Sequence, residues 1–291
     1  MIFVRVIGGL GNQMFQYAHG RALSNRLGVP LRLDVSGFRK YRVHAYSLDK
    51  LNIRRDYATK AEIDTTLGRL FRLRQLVQRA VPSMNVEPRV LVRETSMRFD
   101  PRMLETPDGS YLEGYWQSEK YFKDLASTLR EEFAPRRPLS GRDAEVAASM
   151  QATDSVSLHV RRGDYASNPA TARFHGLCDE TYYARCVRHI TDRVKAPRFF
   201  VFSDDPDWAR TNINIPFPTT FVSHETDSPD YVDLTLMSCC RHSIIANSTF
   251  SWWGAWLNRN PGKIVLMPAR WYKALPEDET ADLRPEGWNC L

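Results

Sequence analysis

Residues 155–164, Ser155-Val156-Ser157-Leu158-His159-Val160-Arg161-Arg162-Gly163-Asp164, pass without a break from an apolar-rich run into a cluster of charge. The first six read as a strand buried on both faces, which belongs in a parallel sheet covered by helices. Toward the C-terminus the rhythm continues. A helix is expected over 179–195, a strand over 198–203, a helical turn after Asp205 and a strand over 219–223. A helix near 229–240, a strand over 242–247, a helix over about 250–259 and a strand over 263–267 complete it. Strands alternating with helices predict a doubly wound parallel α/β sheet, whose ligands sit beyond the carboxyl ends of the strands.

Toward the N-terminus the pattern starts in the same way and then loosens. A strand over 2–7, a glycine turn, a helix to about 27 and a strand over 31–35 come first; a strand over 110–115 and a helix from Ser118-Glu119 to about Phe133 come later. Pro135, Pro138 and Ser140-Gly141 make the best linker. The expectation is two Rossmann-like halves, residues 1–138 and 139–291, facing each other across a cleft.

A chain of 291 residues with 43% hydrophobic residues can fill two cores of ordinary size. It contains no run of about 18 apolar residues, and Met1 leads straight into Ile2-Phe3-Val4-Arg5 without the features of a signal peptide, so a cytoplasmic protein is expected. Five cysteines without a CxxC pair argue against a disulfide framework or a zinc knuckle. The net charge of +6 suits an acidic partner, and only 8 of the 40 basic residues are Lys, the other 32 being Arg. Arg makes forked bonds to phosphate, although codon composition produces the same bias. Residues 67–80, LGRLFRLRQLVQRA, read as a basic helix. Its two readings are peripheral contact with the anionic inner face of a membrane and a solvated face over an inward apolar stripe.

Three loops could carry chemistry. Gly8-Gly9-Leu10-Gly11-Asn12-Gln13-Met14 follows a strand and opens a helix, but Met14 occupies the place of the third glycine of a dinucleotide fingerprint, so NAD binding is disfavoured. What remains is a turn with amides at a helix start, with Asn12 and Gln13 presented to a cleft. His159 to Asp164 lies where a strand runs out. Adjacent arginines there point to opposite sides, so one reaches a ligand while the other pairs with a carboxylate such as Asp164. Asn247-Ser248-Thr249-Phe250 enters a helix and offers hydroxyls and amides to an anion, the plain alternative being helix capping by Ser248 or Thr249. Trp252, Trp253 and Trp256 read as helix packing. The literal Asp205-x-Asp207 suggests a metal site, but Asp205-Pro206 is an ordinary helix start and no metal is expected. Asp233, on the helix 229–240, reads either as a guanine-binding or as a solvated carboxylate.

With GGLGNQMFQYA at 8–18, HVRRGDY at 159–165, FSDD at 202–205 and NSTFSWWGAWL at 247–257, the chain resembles the bacterial α-1,2-fucosyltransferases of glycosyltransferase family eleven over its whole length. The resemblance implies a GT-B fold with the half 1–138 on the acceptor side and the donor site in the half 139–291, GDP-β-L-fucose as donor, inversion at the anomeric carbon, and no cofactor or metal. It implies His159 near the nucleotide and Arg161 on the β-phosphate. Asp233, seventeen residues before Phe250, would be the guanine carboxylate. Related enzymes place a carboxylate in the first glycine turn or a Lys after the HVRRxD Asp. This chain has Asn12 and Tyr165 there, so the base does not carry over.

The expected donor site is therefore Asn12, His159, Arg161, Asp233, Asn247, Ser248, Thr249 and Phe250, with Asp164 and then His175, in the flexible-looking stretch 166–178, as candidate bases. The expected acceptor is a galactose-terminated oligosaccharide or lipid-linked glycan, fucosylated on its 2-hydroxyl in O-antigen-type biosynthesis. The competing class is a non-catalytic nucleotide or nucleic-acid binding module. Scattered basic residues without an RNA-binding aromatic motif disfavour nucleic acid as a partner.

Overall fold

The computed structural model describes residues 1–41, 43–68, 88–224 and 230–291, apart from the side chain of Asp164. The basic segment 67–80 falls almost wholly outside that description, beyond Leu67 and Gly68. Two compact units emerge, Met1–Phe133 and Ala134–Leu291.

The first unit is built on four parallel strands in the order β2-β1-β4-β3: β1 (Ile2–Arg5), β2 (Leu31–Asp34), β3 (Leu91–Arg93) and β4 (Tyr111–Glu113). Helix α1 (Leu10–Leu27) packs along β1. The close helix-to-strand approach that a dinucleotide fingerprint assigns to position 14 occurs further along the helix, at Gly20. A Cβ there would lie 2.2 Å from Val4 Cγ2 and 3.1 Å from Leu31 Cδ1. Met14 is instead an ordinary core residue with no exposure. Helix α2 (Lys60–Leu67) begins at a capping box in which Thr59 and Glu62 satisfy each other's backbone amides, a Thr-x-x-Glu signal present in the sequence.

The helix expected from Ser118 to Phe133 is two 3-10 turns, Glu119–Tyr121 and Lys123–Leu125, followed by a short α3 (Ala126–Glu132). Phe122, which ends one turn and starts the next, has φ −146° and breaks the α-helical path. That break lets Tyr121 and Phe122 both turn into the core.

The second unit holds six parallel strands: β5 (Asp154–Val160), β6 (Pro197–Ser203), β7 (Thr219–Phe221), β8 (His242–Ile244), β9 (Val265–Met267) and β10 (Asn289–Cys290). Their order, β10-β9-β8-β5-β6-β7, is that of a Rossmann sheet, with the chain reversing direction of travel at β5. Helix α4 (Gly141–Gln151) precedes them, and between them run α5 (Gly163–Ser167), α6 (Pro169–His175), α7 (Glu180–Thr191), α8 (Pro206–Asn212), α9 (Asp230–Cys239) and α10 (Thr249–Leu257). Helices α5 and α6 take up most of the stretch 166–178. α4 and β10 had no counterpart in the sequence reading.

Period-2 alternation sorts the core. Val156, Leu158, Val160, Phe199 and Val201 face α7, burying Tyr182, Tyr183, Cys186 and Ile190, while Phe200 and Phe202 face Met150 of α4 and Val232, Leu236 and Met237 of α9. All five cysteines are free. Trp252, Trp253 and Trp256 are packing residues, at most 3% exposed, and the Trp252 indole donates to Leu283 O at 2.8 Å. None of the helices among the described residues is long and apolar enough to cross a membrane.

Candidate active site

In the second unit the strand order reverses between β5 and β8, and the carboxyl ends of these neighbours carry the two loops singled out by sequence. The register decides the charges. Val160 pairs with Ser203, so Arg161 falls opposite Asp204 one step beyond the sheet. Arg161 Nη1 lies 3.0 Å from Asp204 Oδ2, and the Arg162 backbone N–H donates to Asp204 Oδ1 at 2.7 Å. Arg162 turns the other way, with Nε 3.3 Å from Asp205 Oδ2 and its guanidinium 4.0 Å from the centroid of the Trp208 ring. The arginines do diverge, but the carboxylates that receive them come from the end of β6. The pairing expected with Asp164 concerns a side chain that lies outside the described residues. Gly163 is required here, because a Cβ would sit 2.6 Å from Asp204 Oδ2.

His159 faces the opposite side of β5 from Val160, 5% exposed, with its ring 5.8 Å from that of Phe250. Its Nδ1 is buried with no hydrogen-bond partner among the described residues. Burial, reinforced by the neighbouring Arg161 charge, lowers its pKa to about 3, so the imidazole is neutral at physiological pH. Ser248 is the N-cap of α10, yet its side chain does not cap the first turn.

The side chain of Asn247, named among the donor-binding residues, is engaged within the protein. Its side-chain amide donates to the carbonyls of His175 at 3.0 Å and Trp271 at 3.2 Å, and its Oδ1 accepts from Cys178 Sγ at 3.6 Å. It ties the end of α6 to the sheet. His175 is held among rings, stacked on Tyr165 at 4.2 Å with Phe174 and Tyr272 each 5.1 Å away. Tyr165 in turn carries the Arg161 guanidinium 5.3 Å from its centroid.

Asp233 lies on α9 four residues before Met237, whose Cβ a side chain at Gly254 of α10 would approach to 2.9 Å. Its Oδ1 is 2.7 Å from His224 Nε2, and His224 Nδ1 is 3.2 Å from Asp143 Oδ1. Burial pushes the Asp233 pKa up, opposed by the contact with His224. The sequence reading missed His224, because nothing in the chain marks a contact across loops. Asp205 caps α8 through Trp208 N and holds Arg162, while Asp207 is fully solvated. No three His, Cys, Asp or Glu converge as metal ligands among the described residues.

In the first unit the glycine turn opens α1, and Asn12 Oδ1 accepts from Gln117 Nε2 at 2.9 Å. Gln13, expected to be presented to a cleft, is wholly buried. It donates to the carbonyls of Gly8 and Ala45, each at 2.8 Å, and accepts from Ser47 N at 2.9 Å. It is a brace between the turn and the loop after β2.

A family model described as "Glycosyl transferase family 11" matches residues 98–291. The chain belongs to glycosyl transferase family 11. Like other members it is therefore a glycosyltransferase. It is 36% identical to an α-1,2-colitosyltransferase of Escherichia coli, over 99% of this chain and 98% of that one. It is 31% identical to the O-antigen biosynthesis glycosyltransferase WbnK of Escherichia coli, over 91% of this chain and 93% of the relative. Among solved structures, a mutant of Arabidopsis thaliana FUT1 in complex with GDP superposes with a TM-score of 0.52 at 12% identity, covering 96% of this chain and 72% of that one. That likeness concerns the fold, which is α/β and GT-B-like.

Proposed function

We propose that this family 11 member transfers L-fucose from GDP-β-L-fucose, with inversion, to the 2-hydroxyl of a terminal β-galactoside. The observation that carries the reading is the switch point of the second sheet, where the Arg161–Asp204 pair, the neutral His159 and the start of α10 meet at the ends of adjacent strands. Arg161, oriented by Asp204, opposes the charge that grows on the β-phosphate as the bond from C1 to oxygen lengthens. The first-turn amides of α10 and the hydroxyls of Ser248 and Thr249 share that charge. His159 donates from a neutral ring to the nucleotide side, and Asp233 uses the oxygen not held by His224 to accept from guanine. No metal or cofactor takes part. Asp164 accepts the proton of the acceptor hydroxyl, with His175 as the second candidate.

The relative that is an α-1,2-colitosyltransferase supports a second reading, in which the donor sugar is colitose, a fucose lacking its 3-hydroxyl. Side-by-side assays with GDP-fucose and GDP-colitose on a galactoside acceptor, with and without EDTA, separate these readings. The expected result is an α-1,2 product from GDP-fucose that survives EDTA. A kcat/KM at least tenfold higher with GDP-colitose would move the assignment to the second reading, and loss of activity in EDTA would overturn the metal-free mechanism. Arg161→Ala should lower kcat by about a hundredfold or more without loss of fold; turnover near wild type would sink the role given to Arg161.

A further inference from the structure

The first unit has a pocket of its own at the carboxyl ends of β3 and β4, where a parallel α/β sheet receives ligands. Its volume is about 220 Å³. That is below the roughly 300 Å³ at which drug-sized pockets begin, too small for a nucleotide and suited to one sugar ring. Glu94, Trp116, Tyr121, Phe99 and Thr95 are among the residues that line it.

The wall is held under strain. Trp116 has φ +57°, a left-handed conformation unfavourable for a bulky residue, and is fully buried. Both oxygens of Glu94 fix it there, accepting from Tyr115 N at 2.6 Å and Trp116 N at 2.9 Å. Gly114 lets the chain wrap this closely, since a Cβ would lie 2.5 Å from Glu94 Cβ and 2.9 Å from Trp116 Cε2. Strain of this kind persists where its surroundings over-determine it, and it concentrates at ligand sites. The Trp116 indole Nε1 is buried without a hydrogen-bond partner among the described residues, an unmet donor in the wall of a pocket.

The charges choose the ligand class. Arg93 shares Glu113 with Arg5, at 2.7 Å from its own nitrogen, Arg102 forks onto Asp100 at 2.7 Å, and Arg98, the third cation of the lining, is also engaged within the protein. Glu94 in the wall repels an anion and, with four acceptor positions of which two are taken by amides, can receive hydroxyl donors. Aromatic rings beside a carboxylate match a neutral pyranose, which has an apolar face and a hydroxyl edge. We infer that this pocket is a subsite for one neutral pyranose unit of the acceptor glycan, an inference that rests on the glycosyltransferase reading above.

The test uses two variants and two kinds of readout. Thr95→Trp, at an exposed rim position, fills the pocket without touching the core, and Glu94→Gln removes the acceptor charge together with one of the two bonds to the Tyr115 and Trp116 amides. Lacto-N-tetraose and methyl β-galactoside serve as probes, and binding is followed by saturation-transfer NMR. Acceptor KM, GDP-fucose KM and the hydrolysis of GDP-fucose without acceptor are measured in parallel. The expected result is binding of a probe by the wild type, its loss in Thr95→Trp, and an acceptor KM raised roughly tenfold in both variants, with GDP-fucose KM and hydrolysis unchanged. A folded Thr95→Trp that retains probe binding and acceptor KM would overturn the subsite, as would a wild type that binds neither probe. Absent GDP-fucose turnover with probe binding still blocked by Thr95→Trp would instead count against the donor reading alone.

Discussion

Arg161 is oriented by the Asp204 carboxylate and the Tyr165 ring, and Asp204 can lie this close to the main chain because Gly163 has no Cβ. Asp204 accepts from Arg161 and from the Arg162 amide, and its carboxylate lies over Gly163. Gly163→Ala should therefore act through geometry: the carboxylate must move by several tenths of an ångström, taking the guanidinium with it. We expect kcat/KM to fall at least tenfold, chiefly in kcat, with a melting midpoint within a few degrees of wild type. An alanine variant as active as wild type would show that Arg161 is not positioned by this contact. At this scale the sequence revealed which residues stand at a strand end, because an apolar run ending in charge marks that place. It did not reveal where their side chains turn. Asp204 lies 43 residues from Arg161 and reaches it only through the register of β5 on β6, and the Asn247 amide points back at carbonyls rather than out to a ligand. Asp233 invites its own measurement: if its outer oxygen meets guanine, Asp233→Asn should raise the KM for GDP-fucose severalfold with little change in acceptor KM. An unchanged KM would leave it a partner of His224 alone.

Close contacts between elements fall at glycines in both units, Gly20 where α1 crosses β1 and Gly254 where α10 crosses α9. Gly20→Ala would drive a methyl group to 2.2 Å from Cγ2 of the fully buried Val4, which cannot recede without disturbing the sheet. Overpacking of this kind costs about 1–3 kcal/mol, more than the gain of up to about 1 kcal/mol from replacing a helical glycine, so a lower urea midpoint is expected. A midpoint at or above wild type would mean that α1 slides freely on β1. The alternation of strands and helices in the second unit was legible because every strand is a short apolar run flanked by turns. The first unit was less so. β3 is three half-buried residues without a strong pattern, and the break at Phe122 answers to core packing rather than to any local helix stop.

Across the whole molecule, each unit buries a neutral histidine close to its strand-end site: in the second His159, whose Nδ1 has no hydrogen-bond partner among the described residues, and in the first His19, with both ring nitrogens so placed and its ring 4.7 Å from Trp116 and 4.8 Å from Tyr121. Burial is the main cause in both, with Arg161 acting on His159 and Arg26 on His19, and both pKa values fall to about 3. An unfolded histidine titrates near 6.5, so between pH 6.5 and 3 the unfolded chain binds a proton that the native state refuses. The associated stability is fully present above pH 6.5 and is lost as pH falls toward 3. At pH 5 the loss is about 2 kcal/mol for each histidine. His189 and His242, also shifted downward, add in the same direction, whereas Glu94 and Asp233, shifted upward, oppose it at acid pH. A net curve cannot assign these contributions, but a substitution can. His19→Phe keeps a ring between Trp116 and Tyr121 and removes the titrating nitrogens. Urea unfolding at pH 7.5 and pH 5 should show the acid penalty of this variant smaller than that of wild type by about 2 kcal/mol, with stability at pH 7.5 equal or higher because two unmet polar atoms are gone. Parallel acid slopes in the two proteins would mean that His19 takes up its proton in the native state, and that the layer beneath the first unit's pocket admits water.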